Sequence, residues 1–120
     1  MEQLLFFFEL LPWLILGHIV ADVIFSGNPV KRSRPSPNWS IHLTYHALVN
    51  GAAVAVITQS YLLGYAEAIL HWVIDYVGGD ALNDDKTKWY RHDQFLHIIC
   101  KVIWAVVAVW VLGVDSVSWM

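Results

Sequence analysis

The stretch Leu70-His71-Trp72-Val73-Ile74-Asp75-Tyr76 places a histidine and an aspartate four residues apart in an otherwise apolar segment. On a helix, residues at this step project from one face, one turn apart, so His71 and Asp75 form a polar pair. Polar groups in an apolar setting cost several kcal/mol when they lack partners. The stretch therefore predicts a helix whose polar face lies against other polar groups.

Three more polar pairs occur at the same four-residue step, each in another apolar segment. These pairs are His18/Asp22, His42/His46 and Asp93/His97. Because each of four apolar segments carries one pair, we expect the pairs to face one another. The number of residues that separates the first pair from the third is nearly the same as the number that separates the second pair from the fourth. This recurrence predicts two related helical hairpins.

The composition is that of a membrane protein. Of 120 residues, 58% are hydrophobic and only 14% are charged, far from the balance of soluble domains. Seven Trp and five Tyr suit the bilayer interface. The sequence has no basic surplus and no basic patch interleaved with aromatic residues, so it gives no support for nucleic acid as a partner. We expect one integral membrane domain over residues 1–120 with the lipid bilayer as its partner, and the oligomeric state stays open.

The apolar segments predict four transmembrane helices, at about residues 4–25, 41–60, 64–77 and 90–112. The first carries Glu2 and Glu9 and no cation before Lys31, so we interpret it as a retained helix rather than a cleaved signal peptide. The third is short for a span, so it begins earlier or the membrane thins there. Gly78 and Gly79 are expected to end it. The predicted fold class is all-α, a four-transmembrane-helix bundle built from two parallel helical-hairpin repeats.

The cations predict the orientation. Of the seven Lys and Arg residues, all but Lys101 lie in or beside the loops that join helices 1 to 2 and 3 to 4. The positive-inside rule places both loops in the cytoplasm and both termini outside. At about 1.5 Å rise per residue, the polar pairs at this end resolve into two layers roughly 6 Å apart. The deeper layer is His18, His46, His71 and His97, and the outer layer is Asp22, His42, Asp75 and Asp93.

Imidazole and carboxylate groups on facing helices are how helical bundles build metal sites. The predicted metal ligands are His18, Asp22, His42, His46, His71, Asp75, Asp93 and His97. They exceed one tetrahedral site, so they suit one or two divalent transition metal ions. The mixed set suits zinc, manganese or ferrous iron, and zinc is our first expectation.

A metal with an open position would activate water, and an uncoordinated aspartate would act as general base. Asp75 and Asp93 are the candidate catalytic residues, and the sequence does not choose between them. The expected substrate of such a metal-dependent hydrolase is a lipid head group or a phosphoester. Three alternatives stay open: a proton or metal-ion conduit, a non-enzymatic membrane interaction protein with a structural metal site, and pairs that only join helices by hydrogen bonds.

Two charged residues extend the pattern deeper into the bundle. Glu67 lies one turn before His71, and Lys101 lies one turn after His97, which places both charges at one depth. We predict that they pair, because burial of either charge alone would be costly. Asn50 holds the position equivalent to Lys101 in the first hairpin, and it is expected to bond to the histidine one turn before it or to act as a weak ligand.

Several motifs resemble domain of unknown function 3307, a family of small bacterial and phage inner-membrane proteins. They are Gly17-His18 to Asp22, Tyr45-His46-Ala47-Leu48-Val49-Asn50, Leu70-His71 to Asp75, and Asp93-Gln94-Phe95-Leu96-His97, so the resemblance spans nearly the whole chain. Family members often carry histidine where this chain has Asn50, which leaves open whether helix 2 contributes His42/His46 or His46/Asn50. A more distant similarity to membrane-bound metal-dependent hydrolases implies a catalytic metal.

Overall fold

A computed structural model describes residues 1–25, 37–81 and 86–117, with side chains for all of these except 78–81 and 86–93. This part of the chain is all-helical, as predicted. Its four helices are α1 (Glu2–Val20), α2 (Trp39–Thr58), α3 (Tyr61–Ala81) and α4 (Lys86–Val106). α1 continues into a π-helical turn at Ala21–Phe25, and α4 continues into another at Val107–Val111.

The outside of the bundle is apolar and part of its inside is polar. Phe8, Val56 and Ile69 are 60%, 68% and 65% exposed, whereas Glu67 and Lys101 are each 1% exposed. Within the described residues, three helical segments are long and apolar enough to cross a membrane. They are Glu2–Phe25, Trp39–Thr58 and Gln94–Val111. This inverted distribution of polarity is consistent with a membrane protein.

Small residues let α2 and α3 pack closely. A Cβ atom added at Gly51 would lie 2.6 Å from the carbonyl oxygen of Gly64 and 2.9 Å from the Cβ of Ala68. A Cβ at Gly64 would lie 2.6 Å from the Cβ of Ala55. Each helix thus contributes two small residues four apart, the pattern that brings membrane helices close together. This close approach places the polar residues of α2 and α3 side by side.

α3 begins earlier than predicted. It starts at Tyr61 after a tight turn, in which Gln59 has a positive φ of 55° and the Ser60 hydroxyl accepts a hydrogen bond from the Leu63 amide at 3.3 Å. Ser60 is therefore the N-cap. The prediction began this helix at about residue 64, whereas Gly64 lies inside the helix and serves its packing against α2.

α3 also extends through Gly78 and Gly79 to Ala81, instead of ending at the glycine pair. A glycine costs only about 1 kcal/mol in a helix interior, so it does not by itself stop a helix that the preceding turns stabilise. α4 likewise begins at Lys86 rather than near residue 90. α3 therefore has 21 residues, one more than α2.

The helices close into a ring, in which α1 and α3 each contact both α2 and α4. One end of this ring is filled by an apolar core. Its buried members are Phe6, Leu10, Leu14, Val54, Leu63, Trp104, Ala105, Ala108, Val109 and Val117. On α1 these residues precede His18, and on α4 they follow His97. The histidines therefore lie toward the opposite end of the bundle.

Candidate functional site

Each of the four helices contributes one buried histidine to a single cluster. His18, His46, His71 and His97 come from α1, α2, α3 and α4, respectively. The ring centroids of His71 and His97 are 3.9 Å apart, those of His46 and His71 are 4.6 Å apart, and those of His18 and His97 are 5.2 Å apart. These rings form the deeper layer that the helical spacing predicts, and we call them the histidine layer.

Asp75 contacts three members of the histidine layer. Its Oδ2 lies 3.1 Å from His46 Nε2 and 3.2 Å from His71 Nε2, and its Oδ1 lies 3.1 Å from His97 Nε2. The two nitrogens that share Oδ2 are themselves 2.9 Å apart. His46 Nε2, His71 Nε2 and Asp75 Oδ2 therefore form a closed triangle of short contacts, which we call the donor triangle.

Asp22 reaches the cluster from the π-helical turn that follows α1. Its Oδ2 lies 3.2 Å from His18 Nε2, and its Oδ1 lies 3.6 Å from His46 Nε2. Single π-helical turns occur often at functional sites, where they redirect a side chain. One carboxylate thus faces two different histidines with its two oxygens.

Glu67 orients His71 from behind. Glu67 Oε1 lies 3.1 Å from His71 Nδ1 and accepts a hydrogen bond from Lys101 Nζ at 2.5 Å. Glu67 Oε2 accepts another from Trp104 Nε1 at 2.6 Å. The predicted pairing of Glu67 with Lys101 is confirmed. Because the paired carboxylate accepts the proton of His71 Nδ1, the ring in its neutral form would direct the lone pair of Nε2 into the donor triangle.

Asn50 orients His18 in the same way. The amide nitrogen of Asn50 donates to the main-chain oxygen of His46 at 3.0 Å, which leaves Asn50 Oδ1 to accept a hydrogen bond from His18 Nδ1 at 3.2 Å. The neutral His18 ring therefore also presents the lone pair of Nε2 inward. That nitrogen lies 3.1 Å from Gln94 Oε1 on α4, in addition to its contact with Asp22.

A cation fits the donor triangle better than hydrogen bonds between neutral rings do. With the proton of His71 on Nδ1, its Nε2 and Asp75 Oδ2 bring two lone pairs to 3.2 Å. One proton on His46 does not relieve that contact. A cation bound between the three atoms would interact favourably with a lone pair from each of them. Ligands bound tetrahedrally at 2.0–2.1 Å are separated by about 3.3–3.4 Å, slightly more than the 2.9–3.2 Å between the three atoms here.

One predicted ligand, His42, is not brought into this cluster. His42 is half-buried on α2, one turn nearer the helix start than His46. It belongs neither to the donor triangle nor to the groups of potential ligands Asp22/His46/His71 and Glu67/His71/His97. The buried face of α2 includes Leu43, His46, Ala47 and Asn50, and His42 lies at the edge of that face. The side chain of Asp93 lies outside the described residues.

Two contributors to the site were not predicted from the sequence. Gln94 lies three residues before His97, and Trp104 lies three residues after Lys101. Residues at that step share a helix face, so the same periodicity that found the histidines also points to these two.

Residues 10–120 match a protein family that is described as a protein of unknown function, DUF3307. The chain belongs to the DUF3307 family. The match includes every residue of the histidine layer together with Asp22, Asp75 and Glu67. No curated protein and no solved structure is significantly similar to the chain. The similarity to metal-dependent hydrolases stays a prediction.

The cluster of this DUF3307 protein is reached from its carboxylate side. The side chains of His46 and His71 are 2% and 0% exposed, whereas those of Asp22 and Asp75 are 22% and 14% exposed. The aspartates lie nearer the ends of α1 and α3 than the histidines do. A small molecule or ion would therefore approach past Asp22 and Asp75, with the apolar core behind the cluster.

Proposed function

We propose that this DUF3307 protein is an integral membrane metalloprotein that binds a divalent transition metal at the donor triangle and hydrolyses a lipid head group or a small phosphoester there. The observation that carries the proposal is the closed triangle of short contacts between His46 Nε2, His71 Nε2 and Asp75 Oδ2 in a buried cluster. Zinc is the first candidate, because it takes imidazole and carboxylate ligands at this spacing.

In this proposal, all four helices cross a bacterial inner membrane as two parallel hairpins. The cluster lies near the cytoplasmic face, and both termini are periplasmic. The positive-inside rule supports this orientation, because all cations except Lys101 lie in or beside two loops. The proximity of His18 and His71, whose ring centroids are 5.8 Å apart, and the similar lengths of α2 and α3 support the two-hairpin arrangement.

The chain's own residues hold the metal and direct its ligands. His46, His71 and Asp75 would hold it, and the other polar groups of the cluster would line the site. The ion supplies Lewis acidity, which activates water and polarises a phosphoryl oxygen. Glu67 keeps the proton of His71 on Nδ1, as a carboxylate partner does behind many metal-binding histidines.

The general base is assigned by elimination. Asp75 contacts three imidazoles, which favours its role as a ligand over its role as an uncoordinated base. The base is then Asp93, which the sequence places one turn before His97 and toward the open end. The outer position of the aspartates would bring substrate to the cluster from the membrane surface.

A proton conduit is the second candidate. A doubly protonated His71 would donate to both Glu67 and Asp75, and Lys101 carries the polar interior one turn deeper. The apolar core opposes a continuous path, because Leu10, Leu14 and other apolar residues close the far end of the bundle. Hydrolysis at one face needs no such path and is favoured.

The test measures metal content and hydrolysis on the same detergent-purified protein. We expect stoichiometric metal and cleavage of bis(p-nitrophenyl) phosphate in the wild type, and loss of both in Asp75→Asn. His42→Ala is the matched control and should retain both. Metal without hydrolysis would leave a structural site, and metal-free wild-type protein from zinc-supplemented, chelator-free growth would contradict the proposal.

A further inference from the structure

His18 stands apart from the donor triangle and has its own set of oxygen neighbours. Its Nε2 lies 3.2 Å from Asp22 Oδ2 and 3.1 Å from Gln94 Oε1. His18 Nδ1 is engaged by Asn50, so a neutral ring brings its lone pair toward two oxygen atoms that also carry lone pairs. This second group therefore brings lone pairs close together, as the donor triangle does, but with different residues.

Asp22 connects the two groups. Its Oδ2 faces His18, and its Oδ1 faces His46 at 3.6 Å, so its two oxygens point toward different sets of nitrogen ligands. A carboxylate in this position can bind one ion with each oxygen. Two ions joined in this way lie about 3.5–4 Å apart in two-metal hydrolytic sites.

We propose that the cluster holds two divalent cations, with the second bound by His18 Nε2, Asp22 Oδ2 and Gln94 Oε1 and with Asp22 as the bridge. This inference rests on the proposed function, because the first ion occupies the donor triangle. The second site has two oxygen ligands and one nitrogen ligand, a harder set than the donor triangle, so it suits manganese or magnesium as well as zinc.

A pair of ions narrows the substrate class. Two cations about 4 Å apart stabilise the attacking and leaving oxygens of an in-line displacement at phosphorus. The substrate class is therefore a phosphodiester or phosphomonoester, rather than an amide or carboxylic ester. Attack by water breaks the P–O bond to the leaving alcohol, which takes up a proton, and the phosphate retains the oxygen of water.

The test uses Mn²⁺, which reports both the number of ions and their separation. Metal-free protein in detergent is loaded with Mn²⁺, desalted, and analysed for metal content and by electron paramagnetic resonance. We expect two Mn²⁺ per chain and a signal broadened by exchange coupling. His18→Ala should bind one Mn²⁺ and give the six-line signal of an isolated ion.

Paired variants separate loss of the second site from loss of the fold. Gln94→Leu removes a ligand oxygen and should bind one ion, whereas Gln94→Glu retains that oxygen and should bind two. His42→Ala should also bind two. One ion per wild-type chain would overturn the second site and leave the proposed function standing. In that case a protonated His18 would satisfy the same oxygens by hydrogen bonds. No bound ion overturns both.

Discussion

His18 and His71 hold equivalent positions in the two hairpins and are oriented by chemically different partners. Each lies four residues before an aspartate, and each directs Nε2 into the cluster because a side-chain oxygen engages its Nδ1. For His18 that oxygen belongs to the neutral amide of Asn50, and for His71 it belongs to the carboxylate of Glu67. A neutral oxygen is enough to orient the ring. A carboxylate also strengthens the ligand, and it makes the fold depend on a buried cation.

Loss of Lys101 should have the largest effect on the free energy of unfolding. Its structural effect should be confined to the His71 side of the cluster. Lys101→Met leaves the Glu67 carboxylate buried without its cation, which we expect to lower the free energy of unfolding by about 3–5 kcal/mol. Denaturation in detergent micelles, followed by circular dichroism, measures this loss. A loss below about 1 kcal/mol would show that the two side chains do not form a buried ion pair.

The double variant Glu67→Gln/Lys101→Met tests whether that damage comes from charge. Because it removes both charges together, it should be more stable than Lys101→Met alone. Its His71 ring lacks the carboxylate behind it, so its affinity for Zn²⁺ should fall about 10–100-fold. Competition with a chromophoric chelator measures the affinity. Unchanged affinity would mean that Glu67 serves the fold alone.

Asn50→Ala is the corresponding change on the His18 side and should have a smaller effect. It removes an oxygen acceptor and no charge, so metal affinity should fall about tenfold, at the lower end of the range for such partners. The same chelator competition applies. Thr44→Val, a polar-to-apolar change on the same helix but outside the cluster, should leave affinity unchanged. A larger loss of metal affinity in Asn50→Ala than in Glu67→Gln/Lys101→Met would show that the amide partner of His18 matters more than the carboxylate partner of His71.

His42→Ala should have the smallest effect, although His42 lies on the same helix as His46. It should change the free energy of unfolding by at most about 0.5 kcal/mol, as for most changes outside a packed network, and it should not alter the metal content. Elemental analysis beside the denaturation curve tests both statements. Loss of metal in this variant would bring His42 into the site.

Helical geometry explains what the sequence could predict. The four-residue step determines which side chains share a helix face, so it indicated both the histidine layer and the pairing of Glu67 with Lys101. Spacing does not determine how far a helix is rotated about its axis. For that reason it did not separate His46, which points inward, from His42, which does not.

Partners on other helices were harder to predict. Amide side chains contact whatever the neighbouring helix presents, so the contacts of Asn50 and Gln94 with His18 depend on tertiary packing. Gly64 has a turn-like residue type, yet it lies inside α3 because the close approach of α2 requires a residue without a side chain. The start of α3 was missed for this reason.

X-ray absorption at the zinc edge tests most directly whether imidazoles from different helices meet at one metal. The account predicts a first shell of nitrogen and oxygen at about 2.0–2.1 Å, with the outer-shell scattering of histidine rings and no sulfur. Histidine scattering should weaken in His71→Ala and remain in His42→Ala. A sulfur ligand, or bound zinc without histidine scattering in the wild-type protein, would contradict the account.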